Sequence, residues 1–261
     1  MLDFVMGLSA EVNILLLVVL SFLIAWGGLG LLRGRRALAD VRREHDVIGF
    51  TLSVVGVIYG ILLGFVLSMS WGEYSRTEEI ATTEGVNLRI LYYKSYTLPA
   101  TNQLPVRSAL LAYAHAVAED EWITLRHAKE SPLADRAIMD LWKCYYTVHP
   151  TNETQRLWLQ QSLQTLNEVT SQRRVRLLAA EQSVNPLLWE LLLCGGVITI
   201  SFILILGIER FHFHLLMTWA VTFLILLILF IIYELDNPFW GDPHIAPDAF
   251  LRFLAAHPDP D

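Results

Sequence analysis

Residues 47–71 read VIGFTLSVVGVIYGILLGFVLSMSW and contain no charged side chain. A helix of about 20 apolar residues crosses the hydrocarbon core of a bilayer, so this stretch predicts a membrane span. Further uncharged stretches of similar length lie at residues 12–32, 191–208 and 215–233. We therefore expect an all-α membrane protein whose four transmembrane helices form two pairs, flanking a helical extramembrane domain.

The composition agrees with a membrane protein and gives no sign of an enzyme. Hydrophobic residues make up 54% of the chain and charged residues 17%, whereas a soluble domain carries roughly 25% charged residues. The net charge of −7 gives no support for nucleic-acid binding. No nucleophile elbow, phosphate loop or dinucleotide fingerprint occurs, so neither an enzyme nor a cofactor is predicted. Asp236, Asp242, His244 and Asp248 match no known metal-binding loop, and no metal is predicted.

The order of apolar and polar stretches predicts four regions. Apolar residues recur at helical spacing after the second span, so its helix should continue into the extramembrane region. Helix starts are predicted at Ser131-Pro132 and Asn185-Pro186. The predicted regions are an N-terminal transmembrane pair at 1–71 (spans 12–32 and 47–71, joined by a basic loop at 33–46), a helical extramembrane domain at 72–185, a C-terminal transmembrane pair at 186–234 and an extended, proline-rich tail at 235–261.

Arginines between the first two spans predict the orientation. They are Arg33, Arg35, Arg36, Arg42 and Arg43. Short basic loops are cytoplasmic by the positive-inside rule, which places both termini and the 72–185 domain outside. Arginines 173, 174 and 176 oppose this orientation, but long domains follow the rule poorly. We expect a multi-pass protein of the bacterial inner (plasma) membrane.

The second span has one face of small and weakly polar residues. At about 100° per residue on a helix, the residues that share this face are Ser53, Gly56, Gly60, Gly64, Ser68 and Trp71. The opposite side is bulky and apolar, as at Val55, Ile58 and Leu62. Asp46 and Glu78 continue the small face beyond its two ends, and Glu73 lies just above the second span.

Two interpretations of the small face stay open. Gly-x-x-x-Gly spacing lets helix backbones approach each other in lipid, so the face could serve packing alone. Alternatively, a closed ring of such helices would line a pore with small groups, with Asp46, Glu73 and Glu78 at its mouths.

Acidic residues near the outer ends of the spans also have two interpretations. Glu190, Glu234 and Asp236 lie near the membrane interface, where water would solvate them. They could equally form a vestibule that concentrates cations, while the arginines of the short loop would favour anions. Ion selectivity is therefore left open.

Several motifs resemble the bacterial bestrophin-like domain family over about residues 10–255. The matching positions are Trp71, Tyr74, Glu84, Leu88, Tyr92, Glu121, Trp122, Leu235, Asp236, Pro238, Phe239, Gly241, Ile245, Pro247 and Phe250. Gly85 departs from the alanine expected after the glutamate of that pattern. The resemblance implies kinship with bestrophins, which are oligomeric anion channels with four helices per subunit.

Two functional hypotheses follow. The first is a homo-oligomeric ion channel or channel-like protein whose second helix lines the axis, with copies of itself, the lipid bilayer and inorganic ions as partners. The alternative is a non-conducting membrane scaffold or stress sensor that binds partners through its extramembrane domain.

Overall fold

The computed structural model describes residues 10–33, 45–181, 183–206, 208, 210–241 and 244–258. Over these ranges the regular structure is helical, with no β-strand. A π-helix spans Ala116–Glu121, and a 3₁₀ turn spans Leu125–His127. The α-helices are α1 (Ala10–Arg33), α2 (His45–Ser95), α3 (Ala100–His115), α4 (Trp122–Thr124), α5 (Pro132–Tyr146), α6 (Glu153–Glu181), α7 (Pro186–Ile205), α8 (Phe211–Leu235) and α9 (Asp248–Ala256).

Four of these helices are long and apolar enough to cross a membrane, which confirms the predicted fold class. They are α1, the apolar part of α2, α7 and α8. Helix α2 has 51 residues and is about 75 Å long at 1.5 Å per residue. It therefore continues far beyond the second span, as predicted. Arginines 35, 36, 42 and 43 lie outside the described residues.

One compact unit comprises the described residues up to Glu73, Val184–Asp236 and Gly241. Helix α1 packs on α8 and buries Ser21, Ala25 and Leu29, which recur every four residues. Two of them, Ser21 and Ala25, are small, and small side chains at this spacing let helix backbones approach each other in lipid.

The start of α7 is fixed by its cap, at the position that the sequence predicts. Asn185 Oδ1 accepts a hydrogen bond from the Leu187 backbone N–H at 2.9 Å. Such a cap satisfies a donor that the first helical turn leaves unpaired. Pro186 follows as the first helical residue, where no N–H is required. Just before the cap, Asp236 Oδ1 accepts a hydrogen bond from the Val184 backbone N–H at 2.6 Å.

The second unit comprises the described residues of 74–183, residues 237–240 and the described residues from His244 onward. Helix α5 begins as predicted, because Ser131 Oγ accepts hydrogen bonds from the N–H groups of Leu133 and Ala134, both at 3.1 Å. The core of this unit is contributed by most of its helices. Its fully buried members include Leu88, Leu91, Val106, Leu110, Leu141, Leu166 and Phe250.

The C-terminal segment departs from its prediction. Its prolines suggested an extended tail over 235–261, but Asp248–Ala256 form helix α9. Pro247 stands immediately before this helix, where proline is well tolerated. Phe250 and Phe253 are three residues apart and both are buried. The apolar face of α9 therefore outweighs the local effect of the prolines.

Gly85 of α2 leaves room for α9. A Cβ atom at this position would lie 2.6 Å from the Cβ of Ala249 and 3.0 Å from its carbonyl carbon. The alanine that the family pattern has after Glu84 would not fit here without a backbone shift. The departure from the pattern thus allows a close contact between α2 and α9.

We expect Gly85→Ala to lower the thermal unfolding midpoint of the detergent-solubilised protein. Alanine favours a helix over glycine by about 1 kcal/mol, but overpacking costs about 1–3 kcal/mol. Adding Ala249→Gly should restore part of the loss. Gly72→Ala is the matched control, because a Cβ there meets no atom of the described chain within 4 Å. A Gly85→Ala protein as stable as this control would contradict the expected overlap.

Candidate functional site

The small face of α2 is largely uncovered by the described part of the chain. Ser53, Gly60, Gly64 and Ser68 are exposed, and Gly56 is half-buried. A Cβ atom at any of the three glycines would meet nothing within 4 Å in the described part of the chain. Among the described residues, packing between helices of one subunit therefore does not account for the Gly-x-x-x-Gly spacing.

Trp71 continues the uncovered face, with 60% of its surface exposed. The Ser53 hydroxyl donates to the Gly49 carbonyl of its own helix at 2.9 Å. The serine thus satisfies its donor locally and leaves its oxygen lone pairs on the open face.

A different side of α2 packs within the chain. Tyr59, Leu63 and Val66 are buried in a cluster with residues of α7 and α8, among them Leu192 and Ile225. At about 100° per residue, this buried side lies roughly 110° around the helix from the small face. The helix is therefore held from one side while its small face stays open.

The three predicted mouth residues are all exposed, but their surroundings differ. Asp46 lies in the first turn of α2, and Glu73 lies two residues beyond Trp71. Glu78 lines a cavity of about 160 Å³ together with His244, Asp248 and Arg252, among others. No group of three or more metal-ligating side chains comes together in the described ranges, and Asp242 lies outside them.

The acidic residues suggested as a vestibule are not equally placed. Glu234 is buried, which disagrees with the expectation that water surrounds it. Burial raises the pKa of the Asp236 carboxyl, and its hydrogen bonds from Val184 and Trp189 oppose that rise. Glu190 remains exposed.

A second candidate site is a cluster of charged side chains in the core of the second unit, centred on Arg176. This arginine is completely buried. Its Nε donates to Glu84 Oε2 at 2.8 Å, and its Nη2 donates to Glu84 Oε1 at 3.2 Å. Nη2 also donates to Glu121 Oε1 at 2.7 Å. Both carboxylates are themselves completely buried.

Arg173 extends the cluster toward the surface. Its Nη2 and Nε donate to Glu121 Oε2 at 2.6 and 3.0 Å. Its Nη1 donates to Asp135 at 3.1 Å, and the Asp135 side chain is 53% exposed. Each buried guanidinium therefore faces at least one buried carboxylate, which is the condition for keeping charges inside a protein.

Aromatic groups enclose this buried charge. The Tyr113 hydroxyl donates to Glu84 Oε1 at 2.6 Å, and burial, with the charge of Glu84, raises the pKa of Tyr113 well above 10.0. The Arg176 Cζ lies 4.8 Å from the centre of the Trp122 ring and 5.9 Å from that of Phe250. Burial opposes the charged form of Arg176, but the facing carboxylates outweigh it and raise its pKa.

Trp122 connects the cluster to the C-terminal segment. Its Nε1 donates to the Ile245 carbonyl at 2.8 Å. Its ring contacts Phe239 edge-on at 5.7 Å and Phe250 at 5.5 Å between ring centres. These four positions of the family pattern, with Glu84 and Glu121, therefore meet at one place, where they stabilise the fold.

Sequence reasoning missed the roles of Arg173 and Arg176. Both were noted only as charges that opposed the predicted orientation. A signal does exist, because Leu166, Val169, Arg173 and Arg176 follow one stripe at helical spacing on α6. Arginines on an otherwise apolar stripe predict buried partners.

These features define an all-helical, four-span membrane protein with a long helix whose small face is open and an extramembrane core built around buried ion pairs. The chain belongs to the Bestrophin-like domain family, whose profile matches residues 15–250. This confirms the resemblance drawn from the sequence motifs.

Solved structures show the same fold. A mutant of a bacterial bestrophin homologue from Klebsiella pneumoniae aligns with a TM-score of 0.68 at 15% identity, over 94% of this chain and 98% of that chain. Another structure of the homologue, solved by Zn-SAD phasing, aligns with a TM-score of 0.67 at 14% identity, over 93% and 97%. No curated protein matches the sequence.

We expect Arg176→Met to destabilise the protein by about 3–5 kcal/mol, since it leaves the buried Glu84 carboxylate without its counter-charge. Chemical denaturation followed by tryptophan fluorescence would measure the loss. Adding Glu84→Gln should recover part of it. Arg156→Met is the control, because Arg156 pairs with Glu153 at 3.1 Å on the exposed surface of the same helix, where ion pairs contribute little. Equal effects of the two arginine substitutions would contradict the role of the buried cluster.

Proposed function

We propose that this protein is the subunit of a homo-oligomeric ion channel, or channel-like protein, whose axis is lined by α2. The observation that carries the proposal is the open small face of that helix, from Ser53 to Trp71. Its glycines lack covering atoms in the described part of the chain, whereas other helical glycines are covered, such as Gly28 by Leu204 and Gly195 by Tyr59.

The cost of glycine in a membrane helix indicates what this open face contacts. Glycine in a helix interior costs about 1 kcal/mol relative to alanine, so a row of glycines needs a compensating gain. Facing lipid would supply none. A ring of copies with α2 innermost would instead place small side chains and accessible backbone along a hydrated path. Family membership supports the same assembly, because bestrophins are oligomeric channels.

The charges at both ends of the small face fit such a path. Asp46 and Glu78 continue the small face at its two ends, and Glu73 follows Trp71 on another side of the helix. Rings of carboxylates at a pore mouth raise the local concentration of cations. We propose no resident cofactor and no catalytic role, and the partners are copies of the same chain, lipid and inorganic ions.

The channel proposal is tested by conductance. The purified protein in planar bilayers should carry current, and Gly60→Leu or Ser53→Trp should change its single-channel conductance, because each adds bulk on the small face. Ile58→Phe is the matched control: it adds bulk on an exposed position of the opposite side and should leave conductance unchanged.

Several results would contradict this function. Well-folded oligomers that carry no current under varied pH and calcium would argue for a non-conducting scaffold. Equal effects of Gly60→Leu and Ile58→Phe would argue that α2 does not line the path.

We also propose that the protein lies in the bacterial inner membrane with the loop at 33–46 in the cytoplasm, on the strength of its arginines. Both native cysteines, Cys144 and Cys194, are free and can be replaced by serine. A thiol reagent that cannot cross the membrane should then label a cysteine placed at Glu130, which is exposed in the extramembrane region, and spare one placed at Arg35. The reverse pattern would overturn the orientation.

A further inference from the structure

Tyr59 is the polar member of the buried side of α2. Its side chain is almost completely buried, and its hydroxyl donates to the Leu192 carbonyl of α7 at 2.9 Å. Inside a bilayer a hydroxyl has no water to bond with. The bond to Leu192 therefore gives this side chain a fixed partner on the neighbouring helix.

Two adjacent glycines of α7 form a notch for the Tyr59 ring. A Cβ atom at Gly195 would lie 2.5 Å from Tyr59 Cδ2 and 2.6 Å from Cε2. One at Gly196 would lie 3.0 Å from the Tyr59 hydroxyl oxygen and 3.4 Å from Ile225 Cγ2. Any larger residue at Gly195 would displace the ring, so the notch has the shape of this one side chain.

The neighbouring contacts of α2 are less specific. Leu63 and Val66 belong to the same cluster, whose buried members on α7 and α8 are aliphatic. Aliphatic surfaces tolerate small rotations, because dispersion contacts have little directional preference. The Tyr59 ring fits the notch, with its hydroxyl bonded to Leu192, at only one rotation of α2.

We propose that Tyr59, seated in the Gly195–Gly196 notch, is a positioning residue that sets the rotation of α2 about its own axis and thus which residues face the pore. This inference rests on the proposed function. Consecutive helical residues are about 100° apart, so holding Tyr59 against α7 fixes the direction of Gly60. Expelling the ring turns Gly60 and Ser53 away from the path together.

The test is thiol labelling of single cysteines in the full-length oligomer in lipid nanodiscs. Cysteines are placed at Ser53, Gly60 and Ile58, in a background with Cys144→Ser and Cys194→Ser. A water-soluble reagent should label positions 53 and 60 and spare position 58. This pattern tests the proposed function by itself, and its absence would overturn the pore face, whatever Tyr59 does.

With that pattern established, Gly195→Ala tests the positioning role. Labelling at positions 53 and 60 should fall, and labelling at position 58 should appear. Gly30→Ala on α1 is the matched control, since a Cβ at Gly30 meets no described atom within 4 Å, and it should leave the pattern unchanged. A Gly195→Ala oligomer that keeps the original pattern would overturn the inference.

A milder variant covers the case in which Gly195→Ala does not assemble. Tyr59→Phe keeps the ring and removes the bond to Leu192. The labelling rate at position 60 should fall about fivefold, the factor that one hydrogen bond is worth. An unchanged rate at position 60 in an assembled Tyr59→Phe oligomer would show that the hydroxyl does not set the rotation.

Discussion

A buried guanidinium needs carboxylates within hydrogen-bonding distance, and this requirement organises the second unit of the protein. Arg176 is completely buried and bonded to Glu84 and Glu121, which come from α2 and from the π-helix. Breaking such a pair leaves an uncompensated charge in a medium of low dielectric constant. The arrangement of three separate segments is therefore constrained by one side chain.

Other features follow from that constraint. The π-helix ends at Glu121, so the irregular turn carries the carboxylate that both arginines share. Such local departures from α-helical geometry occur often where a side chain must be placed. The next residue, Trp122, covers Arg176 and bonds to the C-terminal segment. That segment also places the Phe250 ring near Arg176.

The positions that match the family pattern stabilise the fold and do not by themselves indicate an activity. Glu84, Glu121 and Trp122 are buried and bonded to protein groups, which leaves them unavailable to ions or ligands. The residues proposed to meet ions lie on the open face of α2 instead. Fold and function thus depend on different residues, and membership of the family by itself identifies the first set.

Much of the fold is predictable from local patterns. Uncharged runs give the four spans, and Ser131 and Asn185 mark helix starts through capping chemistry that acts over two or three residues. The charge cluster is not predictable in this way, because Glu84 and Arg176 are separated by 92 positions. Helix α9 was not predicted, because the prolines of this segment favour an extended chain. The stability of α9 comes from burying Phe250 and Phe253. Helical periodicity predicted the small face. Whether that face is uncovered depends on which side of α2 packs against its neighbours, and Tyr59 and its notch determine that side.

The most direct test of the central claim is a structure of the assembled protein in lipid nanodiscs by electron cryomicroscopy. We predict a closed ring of subunits in which Gly60 borders a central hydrated path and Tyr59 points away from it into the Gly195–Gly196 notch. A ring in which Gly60 faces lipid, or packs against a neighbouring helix away from the axis, would contradict a channel lined by α2.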